Sequence, residues 1–437
     1  MYRNLIVGLN TNVPLSNGTK VPAINFDNAA TTPPFCSVLQ SLNSFSPWYS
    51  SIHRGTGYKS VFSSEIYDNG RKIVLDFVKG DPNFHEVIFL KNATEAINKL
   101  SYRLKEKIGE GIVLTTYMEH HSNDLPWRDK YRVEYVKIDE HGRLLVDDLK
   151  AKLKKHGGKV KLVAVTGASN VTGYINPIHE IARLAHLYGA EILVDGAQLV
   201  PHSPIDMKPV SSKEHIDYLA FSAHKMYAPF GTGVLIGPKS IFMKGNPDYM
   251  GGGTARIVTE DLVVWEDPPN KEEAGTPNVM GVVALINSIE TIKEIGMENI
   301  EQYEKKLTYY TLNRIKDIPH IKLYCDMSIE NKVSIISFNI DEMYHETVAK
   351  ALSLEGGIAV RSGCFCAQPY VQKLLKIEPS DMEKYRDNLD LPRPGMVRLS
   401  FGLYNEFWEI NLLIELLKHI AQNREFYNNK YNNPPVY

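Results

Sequence analysis

EILVDGAQLVPHSPIDMKPVSSKEHIDYLAFSAHKMYAPFGTGVLIG, residues 191–237, contains three apolar runs: EILVDG, IDYLAFSAH and GVLIG. Runs this short and this continuously apolar read as strands buried on both faces. Upstream the same reading gives strands at EVIFL (86–90), GIVLTT (111–116), RVEYVKI (132–138) and LVAVTG (162–167). Helical patterns stand between them, over 94–107 and in the segment carrying Ile178, Ile181, Ala182 and Ala185. Strand and helix in alternation predict an α/β fold with a mostly parallel sheet covered by helices. Ligands of such sheets gather beyond the carboxyl ends of the strands. Asn170, Asp195 and Lys225 stand at such ends.

The pattern changes near residue 284. A long polar helix is expected first, then a strand at KVSIISFNI (332–340) and a helix over 345–354 that stops at Gly356-Gly357. IAVRSG reads as short and extended. MVRLSFGLY (396–404) precedes an amphipathic helix over 407–423. Residues 284–437 are therefore expected to form a smaller α+β domain beside a large domain of residues 25–283. Residues 1–24 form no clear element and are expected to pack on the small domain. The tail NNKYNNPPVY is expected to fray.

With 437 residues, 43% of them apolar, the chain has material for a substantial core and two or three domains. Lys plus Arg number 49 and Asp plus Glu 51, a balance that speaks against nucleic acid or an anionic membrane as the main partner. MYRNLIVGLN has only a short apolar run and no small-residue cleavage site after it, so it makes a poor signal peptide. The longest apolar stretch, around Val279–Ile286, is far too short to span a bilayer. Four cysteines, at 36, 325, 364 and 366, are too sparse for a disulfide framework. A reducing, cytoplasmic setting without membrane contact is expected.

Taken singly, the polar residues have bland readings. Asp195 would cap a loop, Lys225 would be a solvated charge, and Ser222 and His224 would be local capping groups. Together they suggest a site for pyridoxal 5'-phosphate (PLP). An acid after one strand would keep a ring nitrogen protonated, a lysine after the next would form an imine, and a hydroxyl and an imidazole would bind phosphate. His120 and His121 are adjacent, and no converging Cys/His spacing supports a metal, so none is expected. Cys364 and Cys366 by themselves read as small buried hydrophobes.

Ordered matches run from NFDNAATTPP (25–34) to VRLSFGLYN (397–405). Between them lie HRGTGYKS (53–60), NATEAIN (92–98), MEHHSNDLPW (118–127), SNVTGYINPI (169–178), LVDGAQLVPH (193–202), FSAHKMYAPFGTGVL (221–235), EAGTPN (273–278) and RSGCFCAQP (361–369). By these the chain resembles the class V aminotransferases, PLP enzymes of fold type I, and within them the cysteine desulfurase and selenocysteine lyase family. The resemblance implies Lys225 as the Schiff-base lysine, Asp195 as partner of the pyridinium, and Gln198 and Asn170 beside the phenolic oxygen. Ala93 and Thr94 would meet the phosphate at a helix N-terminus, whose N–H groups suit an anion. The family commonly has Gly-Thr-Thr-Glu where this chain has Asn92-Ala93-Thr94-Glu95.

By the same resemblance His120 stacks on the cofactor and assists proton transfer, for which a near-neutral imidazole is suited. Cys366, directly before Ala-Gln-Pro, is the thiol that takes sulfur from L-cysteine, leaving a persulfide and alanine. Arg398 clamps the substrate carboxylate, with Arg361 as a second contact. Family members are homodimers, which would carry Thr254 of MGGGT to the partner's cofactor phosphate and His53-Arg54 to its active-site mouth. Two departures stand out. Cys364 and Phe365 replace the two histidines that many members have before the cysteine, and the polar stretch KIEPSDMEKYRDNLDLPRPG (376–395) is an insertion suited to covering the pocket or docking a protein sulfur acceptor. An aminotransferase, epimerase or other lyase with an incidental Cys366 remains an alternative, as does a non-catalytic sulfur-relay or scaffold protein.

Overall fold

A computed structural model describes residues 2–388 and 391–431 of the chain. Its centre is a seven-stranded sheet. In chain order the strands are β1 (His85–Leu90), β2 (Ile112–Thr116), β3 (Arg132–Val136), β4 (Val160–Thr166), β5 (Glu191–Asp195), β6 (Tyr218–Ser222) and β7 (Gly233–Pro238). Across the sheet they run β1-β7-β6-β5-β4-β2-β3. The pairs among β2 to β6 are parallel, whereas β7 lies antiparallel to both β1 and β6. The predicted α/β sheet is thus present, with one reversed strand that apolar runs alone do not reveal.

Side chains of successive strand residues point to opposite faces. Val87, Val163, Val165, Val194, Phe221 and Val234 pack on one side with the helices Tyr58–Val78, Ile178–Leu187 and Val279–Ile295. Ile88, Leu162, Ala164, Leu193, Ala220 and Leu235 pack on the other with the helix Ala93–Arg103 and Trp127. Burying a Val, Leu or Ile side chain contributes about 1.5–3 kcal/mol, so both faces hold the strand ends firmly in register.

Position 284 lies inside the helix Val279–Ile295, which is largely buried against the large sheet; the next helix is Met297–Ile315. A four-stranded antiparallel sheet follows, made of β8 (Ile321–Leu323), β9 (Ile335–Ile340), β10 (Arg361–Gly363) and β11 (Met396–Ser400), in the order β8-β9-β11-β10. The helices His345–Gly356 and Phe407–Gln422 cover it around Ile336, Val348, Leu399 and Leu413.

The opening segment is more structured than its sequence suggests. Asn12–Pro14 and Lys20–Pro22 pair as a small antiparallel ribbon. Ile6 joins the core of the large sheet, while Arg3 pairs with Glu409 and the Ser16 N–H donates to Leu354 O. Of the tail expected to fray, 428–431 end the helix Arg424–Tyr431, and 432–437 lie outside the described residues. Among the described residues no helix is long and apolar enough to cross a membrane.

Candidate active site

The carboxyl ends of β4, β5 and β6 face a cavity of about 340 Å³. Ala93, Thr94, His120, Asn170, Asp195, Gln198, Ser222, His224, Lys225, Arg361, Cys366 and Arg398 all line it. Residues spread over 300 positions of sequence thus meet in one place. Thr254 stands apart: it is buried, and its hydroxyl donates to Gly251 O at 2.8 Å. Arg54 approaches this loop through Ala255 O at 3.5 Å. A roomier cavity of about 540 Å³ beside Tyr249 and Gly251 contains none of the predicted site residues, so chemistry rather than volume identifies the site.

One wall is an anion cradle. Asn92 caps the helix Ala93–Arg103 by accepting the Glu95 N–H at 2.9 Å, and Glu95 accepts the Lys91 N–H in return. Gly233 of β7 lets this turn press close, because a Cβ there would lie 2.4 Å from Asn92 backbone atoms. The Ala93 N–H donates to Ser222 Oγ at 2.8 Å, and the hydroxyls of Thr94 and Ser122 lie 2.6 Å apart. First-turn N–H groups and hydroxyls in this arrangement suit a phosphate.

The floor carries charge that burial has weakened. Lys225 follows β6 in a single 3₁₀ turn; burial brings its amine down to about 8, although Asp195 opposes the shift. Asp195, at the end of β5, accepts the Ala197 N–H at 3.0 Å, and burial raises its carboxyl above the ordinary range. Gln198 donates to Ala29 O at 2.7 Å and leaves its Oε1 buried without a partner. An amine near neutrality, a buried acid, an unsatisfied amide oxygen and an anion cradle fit a phosphorylated pyridine aldehyde such as PLP.

His120 differs from the near-neutral imidazole expected. Burial first, then Lys225, His121 and Arg398, lower it to about 3. Its Nδ1 accepts the Ser122 N–H at 3.1 Å, which leaves the proton on Nε2. Burial and Lys225 also lower His224, to about 4. Both rings are neutral at physiological pH.

The opposite wall comes from the small sheet. Arg398, on β11, is 3% exposed. It donates to Asn170 O at 2.9 Å and to Asp27 at 3.1 Å, and its guanidinium lies 4.8 Å from the Phe365 ring centre. Burial lowers it to about 10 despite Asp27. Arg361 pairs with the other Asp27 oxygen at 2.8 Å. Cys366 is exposed, and both it and Phe365 have φ of 53°. Three long-range bonds hold this left-handed turn: the His121 N–H to Cys366 O at 2.6 Å, Asn170 Nδ2 to Phe365 O at 2.7 Å, and the Gln368 N–H to His121 Nε2 at 3.2 Å.

Cys364 faces elsewhere. Its thiol donates to Pro394 O at 3.0 Å, burial raises it, and it borders a separate cavity with His345 and Arg393. All four cysteines are free. In the polar stretch 376–395, Pro379–Asp387 form a helix, and 391–394 line the cavity of Cys364 rather than that of Lys225.

Sequence reading missed Asp27, although it lies in NFDNAATTPP, because its two arginine partners are more than 330 residues away. It also missed Glu119. This buried acid accepts from Thr116, Asn123 and the Thr166 N–H, and burial raises it to about 8. Its place directly before His120 was the available signal.

The class-V aminotransferase family model matches residues 24–413. A cysteine desulfurase of Haloferax volcanii is 32% identical over 404 residues, covering 91% of this chain and 89% of the relative. A probable cysteine desulfurase of Mycolicibacterium paratuberculosis is 34% identical over 410 residues; the match covers 92% of this chain but 56% of that longer protein. Among solved structures, the apo cysteine desulfurase of Thermococcus onnurineus superposes with a TM-score of 0.82 at 31% identity, covering 95% of this chain and 97% of that one. The chain belongs to the class-V aminotransferase family, whose members use PLP, and is a homologue of cysteine desulfurases.

Proposed function

We propose that this chain is a PLP-dependent cysteine desulfurase that converts L-cysteine to L-alanine and takes the sulfur onto Cys366 as a persulfide. The observation that carries the reading is the meeting of Cys366 with Lys225, Asp195 and Arg398 around one cavity. Bound PLP supplies an electron sink for the substrate's carbon skeleton. Asp195 holds the proton of the ring nitrogen. The helix turn at Ala93 and Thr94, with Ser222 and His224, would receive the phosphate, while Gln198 and Asn170 would flank the ring oxygen. Lys225, neutral in an appreciable fraction near pH 8, would hold the cofactor and move protons at the substrate carbon. Arg398 and Arg361 take the α-carboxylate. His120 would lie against the ring, its Nε2–H able to donate without a change of charge. The Cys366 thiolate would attack the substrate sulfur: an S–S bond forms as the C–S bond breaks, the bonding pair passes to the carbon skeleton that the sink stabilises, and that carbon takes up a proton on the way to alanine.

The reading extends to a homodimer and a protein sulfur acceptor. The hairpin of Ala255–Val258 and Val263–Trp265 exposes Ile257, Val258, Leu262 and Val263, an apolar edge beside Thr254 that suits a second subunit. Thr254 and His53-Arg54 would then serve the partner's site. The exposed Cys366 lets an acceptor thiol approach.

Turnover of L-cysteine by PLP-loaded protein, with a reductant present, tests the reading. Alanine and sulfide are expected in equal amounts from wild type and neither from Cys366→Ala. PLP binding without sulfide release by wild type would sink the desulfurase assignment. Light scattering across a dilution series checks the dimer.

A further inference from the structure

At the other end of the large sheet, His186 closes the helix Ile178–Leu187, while His215 and Asp217 lead into β6. His186 Nδ1 lies 2.7 Å from Lys213 O, and His215 Nδ1 lies 2.6 Å from Ser212 O. A carbonyl only accepts, so each Nδ1 carries its ring's hydrogen. Yet both Nε2 atoms also face an acceptor: His186 Nε2 is 2.9 Å from Asp217 Oδ2, and His215 Nε2 is 3.1 Å from Oδ1. Neutral rings would set lone pairs against the carboxylate. Two imidazolium rings would satisfy the bonds beside Asp217 and the nearby Glu191, but like charges would then stack with centres 4.3 Å apart.

One dication in place of the two Nε2 protons carries the same total charge, but it gives both neutral rings and the carboxylate a shared acceptor for their lone pairs while each Nδ1 hydrogen can still face its carbonyl. We propose that His186, His215 and Asp217 form a binding site for a first-row transition-metal dication, with Zn²⁺ the expected occupant. The ligand atoms all lie within 4.8 Å of one another. Adjacent ligands around tetrahedral zinc sit about 3.3 Å apart, given metal–nitrogen distances of about 2.0–2.1 Å, so the rings, now stacked at 20° to each other, would turn toward a common ion on binding. Imidazole and carboxylate ligands suit zinc. Nδ1–H groups held by backbone carbonyls are the usual supports of metal-binding histidines, since they fix the tautomer and aim Nε2 at the ion. Asp217 is anchored by the Ile192 N–H at 2.9 Å. The two histidine side chains are 15% and 14% exposed, which leaves an edge for a water as fourth ligand. The ion would tie the 212–217 segment to the end of the helix, at the opposite end of β6 from Ser222 and Lys225.

The test is calorimetric titration of the PLP-loaded full-length protein with ZnCl₂. Wild type, His186→Ala, His215→Ala and Cys366→Ser are compared, with His215→Gln as a second variant should alanine impair folding. One zinc equivalent is expected in wild type and in Cys366→Ser, with affinity weakened more than about tenfold in every histidine variant. Zinc should raise the melting temperature of wild type and not of those variants. Equal zinc binding by the histidine variants, loss only in Cys366→Ser, or wild-type binding weaker than about 1 mM would overturn the proposal.

Discussion

The two walls of the cavity are held in different ways. Asp195, Ser222 and Lys225 leave their strands within three residues of the last paired position, and the sheet that fixes them is packed on both faces. Cys366 sits in a left-handed turn beyond an edge strand of the small sheet and is aligned by bonds from His121 and Asn170, residues about 200 positions or more away. The wall of strand ends is therefore a local consequence of secondary structure, whereas the wall that carries Cys366 exists only when the two sheets are in contact. Precision at the first follows from secondary structure; at the second it follows from tertiary hydrogen bonds.

This contrast is sharpest in Lys225→Ala. Turnover should fall by about 10⁴-fold or more, and the visible band of lysine-bound cofactor should vanish. Cys366→Ala should keep that band at full strength while losing sulfide release; a weakened band would mean that the two walls are not separable. Arg398→Lys comes next, since a buried bidentate donor cannot be replaced by a point charge. A loss of about 100-fold in kcat/KM, roughly 3 kcal/mol, is expected for L-cysteine.

The pH dependence probes the wall of strand ends alone. Capture of PLP by apoprotein needs the neutral amine of Lys225, whose folded value of about 8 lies below the ordinary 10.5. Its observed rate should rise with pH and level off above about 8, and a rate flat from pH 6 to 9 would contradict the lowered value. The same depression means that the unfolded chain binds more protons between the two values. Lys225 should therefore make the apoprotein more stable as pH rises through that window, which denaturant midpoints would report. The smallest effect is expected from His121→Ala, which removes one bond to the cysteine loop worth about 1 kcal/mol. Sulfide release should slow roughly fivefold with PLP affinity unchanged.

The same contrast governs what the sequence discloses. EILVDG and IDYLAFSAHK announce strands and place a polar residue at their ends, so Asp195 and Lys225 can be read from period and position. The reversal of β7 escapes this reading, because an apolar run carries no direction. The helix Val279–Ile295 reads as polar beyond 284, yet it is buried through Ile289 and Ile292 on the large sheet. The value of His120 depends first on burial, then on Lys225, His121 and Arg398, which its ordinary near-neutral value does not register. Cys366 is found by its neighbours in the motif, but Asp27 becomes visible only when β11 and β10 bring Arg398 and Arg361 to it.

On the reading proposed above, that aspartate has a further consequence. A carboxylate of the chain already rests on the guanidinium edges that an incoming amino acid would use. Arrival is then an exchange of one anion for another, and its affinity is the difference between two similar attachments. Departure of alanine, which bears the same α-carboxylate, is helped by the displaced aspartate returning. A site built in this way is suited to rapid traffic rather than long residence: it holds each visitor loosely because it is never without a tenant of its own.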